Sequence, residues 1–312
     1  VPMAASKDRV RWKAVPEPVR HAIENLLGGH VVDARNCAGG FSPGLASRLH
    51  LDDGRCFFVK AINADQWPSE VAAYRDEAGI AASLPADTPA PRLIGTIDDG
   101  HWIALAFEHI DGAEPAHPWT AADLRRVLAQ LARLSETLTS FSMALPHEHP
   151  RLGGWAEVAA DPTLSVRLPE LSPWAADNLP LLVGAERTGL RIASGESLVH
   201  FDLFPHNILL TEDQVWFVDW PHARLGSPIV DLVILLSSVA ADGIDPDPFL
   251  REHPSSAGLD PHAVNGVIAA HAGAFLGSSL HPAPPGLEPI FRTKRAIGLA
   301  TLAWLRKRCD LG

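Results

Sequence analysis

The residues best placed to do chemistry lie in one stretch: His200-Phe-Asp202-Leu-Phe-Pro-His-Asn207, followed by Trp216-Phe-Val-Asp219-Trp220. The pattern is H-x-D-x-x-x-x-N, then a short apolar run delivering a second aspartate. Two carboxylates and an amide so spaced suit a phosphoryl-transfer centre. Asp202 can accept the proton of an attacking hydroxyl, and Asn207 and Asp219 offer oxygen ligands of the kind Mg²⁺ prefers. A lone H-x-D is a short pattern that carries little. The full spacing, with a strand-like run before Asp219, carries more.

A second signal is a lysine. The chain holds 21 Arg and 5 Lys, and between Lys13 and Lys294 the only lysine is Lys60. It ends the run Arg55-Cys-Phe-Phe-Val-Lys60, which is rich in residues that suit a pleated sheet. A single ammonium kept in an arginine-biased chain suggests a site that wants a compact point charge, where the planar fork of arginine is not equivalent. One strand earlier comes Cys37-Ala-Gly39-Gly40-Phe-Ser42-Pro-Gly44, a glycine turn whose backbone could approach and cradle an anion. It is not a P-loop, because no lysine follows the glycines, and it is not the G-x-G-x-x-G of protein kinases.

Together these motifs resemble the aminoglycoside phosphotransferase family, small-molecule relatives of the protein kinases. Leu198-Val-His200-Phe-Asp202 and Phe217-Val-Asp219-Trp220 are close to that family's L-x-H-x-D and V-D-W forms, and Gly39, Gly40 and Ser42 to its G-G-x-S loop. The resemblance implies roles for further residues. Lys60 would bind phosphates and pair with a helix glutamate. Glu70 and Glu77 lie a heptad apart on one helix face, and the family's pattern favours Glu77. Phe107 to Gly112 matches the hinge, where the Glu108 carbonyl and the Ile110 amide would read a nucleotide base. Asp231, in Gly226-Ser-Pro-Ile-Val-Asp231-Leu, would brace the catalytic loop, as would His200. Trp220-Pro221 after the metal aspartate, and the lack of an A-P-E element, set the chain apart from the protein kinases.

The implied activity is transfer of the ATP γ-phosphate, with Mg²⁺, to a hydroxyl of a small molecule. GTP is the alternative nucleotide. An aminoglycoside or other antibiotic is the leading acceptor. A metabolite alcohol or sugar is the alternative, and a pseudokinase that only binds is another. The intact set Lys60, Asp202, Asn207 and Asp219 argues against the last.

These residues need a scaffold, and the chain has length for one. Its 312 residues are 46% hydrophobic and 20% charged, ordinary for a globular enzyme. The fold expected is α+β, two-lobed and protein-kinase-like. Residues 1–112 form a small, mainly antiparallel sheet lobe with one inserted helix over 66–84, and residues 113–312 a larger, mainly helical lobe. Helices are expected from Pro18 to Leu27, from Thr120 as N-cap to about Thr139, over 260–275 and over 287–308, with a loop over 277–285. The proline- and tryptophan-bearing stretch 151–182 has an uncertain pattern.

Net charge is −11, which argues against nucleic acid as a partner. Residues 1–112 carry 11 basic and 15 acidic side chains, and the remainder 15 and 22, so the second part is the more acidic. That excess would suit a cationic acceptor or plain solubility. The sequence has no apolar run of membrane length, no apolar signal region near its start and no metal spacing among Cys37, Cys56 and Cys309. A cytoplasmic protein without a membrane partner is expected.

Overall fold

The computed structural model describes residues 9–37, 43–139, 152–284 and 286–310. The chain divides into two compact units. One comprises Ala4–Glu114 together with His206–His222, and the other Pro115–Pro205 together with Ala223–Gly312.

The first unit is built on a five-stranded antiparallel sheet. Its strands are β1 (Val31–Asn36), β2 (Leu45–Leu51), β3 (Cys56–Asn63), β4 (Leu93–Asp98) and β5 (Trp102–Glu108), in the order β1-β2-β3-β5-β4. Helix α1 (Glu17–Leu27) precedes the sheet and α2 (Val71–Ser83) is inserted after β3. Side chains alternate across a strand, and here the two faces have different occupants. Val59 and Ala61 of β3, with Ala104 and Ala106 of β5, join Val19, Ile23 and Leu27 of α1 in one apolar cluster. Ile62, Ile103, Leu105 and Phe107 join Tyr74 of α2 on the other face. Lys60 has the parity of the second set, so the alternation that buries Val59 and Ala61 turns Lys60 toward α2. Gly44 opens β2 because a Cβ there would overlap the Ala61 carbonyl.

A short hairpin belongs to the same unit although it lies about a hundred residues further along the chain. Ile208–Leu210 pairs with Val215–Phe217, and the hairpin is tied back by Ala113–Leu210 backbone bonds of 3.0 and 2.7 Å and by Phe217 N–H donating to the Pro89 carbonyl at 2.7 Å. Asn207 immediately precedes this hairpin and Asp219 follows it.

The second unit is mainly helical. Helix α3 (Ala121–Thr137) starts at an N-cap whose Thr120 Oγ1 accepts from Asp123 N–H at 3.0 Å, as the sequence reads. The stretch with the uncertain pattern forms short helices, Trp155–Ala160, Pro162–Ser165, Leu168–Leu171 and Pro173–Asp177. Prolines in the first turn of the last three start new helices where the preceding one cannot continue. Longer helices follow: α4 (Leu179–Ala193), α5 (Ile229–Ala241), α6 (Pro261–Ser279) and α7 (Glu288–Asp310). Helices α4 and α6 cross where Gly189 meets Gly266, and a Cβ on Gly189 would overlap the Gly266 carbonyl. Helix α6 runs through Ser279, beyond the loop start expected at 277. Between α4 and α5, Ser197–Val199 pairs with Arg224–Gly226 and frames the segment that carries His200 and Asp202. Among the described residues no helix is long and apolar enough to cross a membrane.

Candidate active site

The first unit holds a cleft of about 240 Å³ lined by residues of the sheet, of α2 and of the hairpin segment. Ala46, Phe58, Phe107, Leu209 and Val218 give it apolar walls, and Lys60, Glu77, Asn207 and Asp219 are among its polar groups.

Lys60 is the centre of that polar set. Its register places it between Ala46 of β2 and Leu105 of β5, two buried positions. Its Nζ lies 2.6 Å from the Glu77 carboxylate and 2.5 Å from Asp219 Oδ1. Burial works against the ammonium charge, but Asp219 and Glu77 outweigh it and hold the group above the ordinary lysine range. Glu77 is 3% exposed. Burial pushes its carboxyl up to about 7, against the pull of Lys60 and with repulsion from Asp219. The two directions agree physically: one ammonium sees two carboxylates, while each carboxylate shares a single ammonium. Glu70 instead ends the 3-10 turn Pro68–Glu70, ahead of α2.

Asp219 sits in left-handed backbone, φ 67°, which a residue with a Cβ seldom adopts. Its side chain is 40% exposed, the most accessible of the three charged groups around Lys60. Asn207 is buried, and its backbone carbonyl accepts from Val218 N–H at 2.9 Å, which fixes it beside the strand leading to Asp219. At the far end of β5, the Glu108 side chain is held by Arg92, whose N–H and Nε donate to it at 2.9 and 3.1 Å. The Ile110 amide donates to no described backbone carbonyl. Gly39, Gly40 and Ser42 lie outside the described residues.

Arg9 was not legible as a site residue. It lines the same cleft, and its Nη1 donates to the Cys37 carbonyl at 2.9 Å. One arginine among 21, ahead of the first helix, carries no pattern that would single it out.

The second unit holds Asp202. The preceding residues are fixed by Asp231, near the start of α5, whose carboxylate accepts from His200 N–H at 2.7 Å and Phe201 N–H at 2.9 Å. Phe201 has φ 65°, so the left-handed turn before Asp202 is held by two charge-assisted bonds. Burial pushes the Asp231 carboxyl up, against the effect of His200 and of those amide bonds. Behind the loop, Phe204 stacks on Phe275 and on the buried His271, whose Nε2 lies 3.1 Å from Ser237 Oγ. Burial drives the His271 imidazole down to about 4, against the charge of Asp202. Trp155 and Trp220 are buried core residues, at 0% and 3% exposure.

What the cleft offers chemically is a buried cation, hard oxygen donors and apolar walls. Among the described residues no cluster of three or more His, Cys, Asp or Glu side chains could hold a metal by itself. The pair Asn207 and Asp219 fits a cation such as Mg²⁺, which takes one or two protein oxygens and fills its shell with substrate phosphates and water.

A five-stranded antiparallel sheet with a buried lysine–glutamate pair, joined in one chain to a helical unit, defines a small-molecule phosphotransferase of the protein-kinase-like fold. The chain belongs to the phosphotransferase enzyme family, abbreviated APH, whose sequence model matches residues 33–265. Solved structures share the fold. A thermostable mutant of aminoglycoside phosphotransferase APH(4)-Ia, in a ternary complex with ADP and hygromycin B, is 14% identical with a TM-score of 0.59, over 92% of this chain and 98% of that one. Amicoumacin kinase hAmiN, in complex with AMP-PNP, Ca²⁺ and Ami, is 13% identical with a TM-score of 0.52, over 92% and 94%. A choline/ethanolamine kinase family protein from Mesorhizobium loti is 15% identical with a TM-score of 0.54, over 93% and 99%. No curated protein sequence matches the chain significantly.

Proposed function

We propose that this phosphotransferase uses ATP and a divalent cation, Mg²⁺ in the cell, to phosphorylate a hydroxyl of a small molecule, and that the acceptor is an antibiotic. The observation that carries the nucleotide part is the buried Lys60 ammonium, held between Glu77 and Asp219 in an apolar-walled cleft. Such a charge is costly to bury for packing alone. It is well suited to a phosphate, which can take over the contact that Asp219 now makes.

Bound ATP would supply the phosphoryl group, and the divalent cation would neutralise charge on its phosphates. Lys60, oriented by Glu77, binds phosphate oxygens. Asn207 and Asp219 offer the cation their oxygens. The Glu108 carbonyl and Ile110 amide read the base edge, and the loop of Gly39, Gly40 and Ser42 covers the phosphates. Asp202 takes the proton of the acceptor hydroxyl, as general base. Residues 1–112 would then form the nucleotide lobe and 113–312 the acceptor lobe of a cytoplasmic enzyme.

Support for an antibiotic acceptor comes from the company the fold keeps: two of the solved structures carry hygromycin B and amicoumacin in their descriptions. The choline/ethanolamine kinase relative supports a second reading, a metabolite alcohol. ATP consumption measured against a panel of antibiotics and of choline-like alcohols separates them. Turnover with an antibiotic alone supports the first reading, turnover with an alcohol alone the second. An ionic-strength series then tests acceptor charge. The KM of a polycation should rise with salt, because exposed charges more than about 8–10 Å apart are screened at physiological ionic strength, and a flat series would reject a cationic acceptor.

A further inference from the structure

Arg9 lies in the segment ahead of α1, while the family model begins to match only at residue 33. Its side chain nevertheless lines the cleft that contains Lys60 and Asp219. Two bonds hold this segment against the end of β1, at the entry to the glycine loop. Arg9 Nη1 donates to the Cys37 carbonyl at 2.9 Å, and Asn36 Nδ2 donates to the Val10 carbonyl at 3.2 Å.

Those bonds leave the guanidinium incompletely satisfied. Its Nε is buried and has no hydrogen-bond partner among the described residues. A charged donor buried without an acceptor is unfavourable. Burial accordingly draws Arg9 below the ordinary arginine range, although Cys37, Tyr74 and Asp219 oppose the shift. A residue that served only to pin the glycine loop would need the Cys37 bond alone. A cation whose side chain lines the cleft, within electrostatic reach of Asp219 and not fully satisfied by its protein partners, is instead arranged to receive an anion. Guanidinium is the side chain best matched to phosphate oxygens, because its planar fork can donate two parallel bonds.

We infer that Arg9 is a second phosphate-binding side chain of this cleft, contacting the nucleotide beyond its α-phosphate and working with Lys60. The inference rests on the nucleotide reading given above. In this arrangement the N-terminal segment does two things at once: it steadies the entry to the glycine loop through Cys37 and presents a cation to the polyphosphate.

Calorimetric titration of the wild type and of Arg9→Ala, Arg9→Gln and Arg9→Lys with adenosine, AMP, ADP and ATP, with Mg²⁺ present, tests it. Arg9→Ala and Arg9→Gln should weaken ADP and ATP by about 10–100-fold, the scale of a lost charged hydrogen bond, and leave adenosine and AMP within about twofold. Arg9→Lys should fall between, since a point charge lacks the fork. Should Arg9→Ala fail to fold, as its melting curve would show, the Gln and Lys variants keep the side-chain stem and carry the comparison. Equal weakening of adenosine and ATP would reduce Arg9 to a loop clamp and overturn the inference. So would unchanged ATP affinity in variants of a wild type that binds ATP, and that result leaves the nucleotide reading intact. A wild type with no affinity for ATP overturns both.

Discussion

The two units bury ionisable groups in opposite ways. The sheet unit keeps its cations charged: Lys60 stands between Glu77 and Asp219, and Arg9 lies in the same cleft. Around the segment that carries Asp202, the helical unit removes charge or spends it on the backbone. His271 is held neutral by burial, and the Asp231 carboxylate is occupied by two amides. Among the described residues, each unit also holds one non-glycine residue in left-handed backbone, Asp219 in the first and Phe201 in the second. Such strain costs on the order of 1–3 kcal/mol and persists only where surrounding bonds over-determine it. Asp219 is held through a side chain that a ligand could claim. Phe201 is held by Asp231, through bonds no ligand would replace. The difference separates groups kept for a substrate from groups kept for the fold, and it can be attacked from both sides.

The largest effects should come from the aspartates. Asp219→Ala should abolish turnover together with Mg²⁺-dependent nucleotide binding, because it removes the carboxylate proposed to hold the cation. Asp202→Ala should cut turnover by roughly 10²–10⁴, the scale of a lost general base, with nucleotide affinity nearly intact. Steady-state kinetics with nucleotide titrations would distinguish them, and an equal loss of nucleotide affinity in both would erase the proposed division of roles.

Lys60→Arg keeps the charge but not the shape. The guanidinium is too broad for the gap between Glu77 and Asp219, so kcat/KM for ATP should fall by about 10–100-fold. Wild-type turnover at limiting ATP would make Lys60 an ordinary buried cation.

On the helical side, Asp231→Ala leaves the His200 and Phe201 amides buried without acceptors, and urea denaturation should show a loss of about 2–4 kcal/mol. A loss of activity with unchanged stability would mean that Asp231 serves chemistry rather than the fold.

His271 gives a pH-dependent test of the same side. An unfolded imidazole titrates near 6.5 and the native one is driven down to about 4. The unfolded state therefore binds the proton first, and the native state loses stability as pH falls from about 6.5 toward 4, by up to about 3 kcal/mol from this group. Above pH 7 the contribution is flat. His271→Gln should remove that part of the acid sensitivity, read from denaturation midpoints at pH 7 and pH 4.5. An unchanged pH slope would show that the native imidazole is not held neutral.

How much of this was readable from sequence depends on whether a residue's role is local. Lys60 stood out as the only lysine between Lys13 and Lys294, and the strand alternation around it determined which face it shares. The glutamate it meets required the family pattern as well, since the heptad spacing alone gives Glu70 and Glu77 the same face, and only the structure puts Glu70 ahead of α2. Helix α5 gave no periodic signal because it is buried all round: Ile229 to Val239 are all buried, so no polar face alternates with an apolar one. The packing of His206–His222 against the sheet depends on contacts with Pro89 and Ala113, which no local pattern encodes. Arg9 was invisible for a similar reason. Its meaning lies in the Cys37 carbonyl and the cleft wall, not in its neighbours along the chain.

The most direct test of the charged cleft is the melting temperature of the wild type and of Asp219→Ala with saturating ATP, with and without Mg²⁺. Ligand at about a hundred times its Kd stabilises a fold by about 2.7 kcal/mol. The expected result is a rise of several degrees in the wild type that depends on Mg²⁺, and no Mg²⁺-dependent rise in the variant. No shift in the wild type, or the same Mg²⁺-dependent shift in both proteins, would contradict a cleft in which Lys60 and Asp219 hold a nucleotide and its metal.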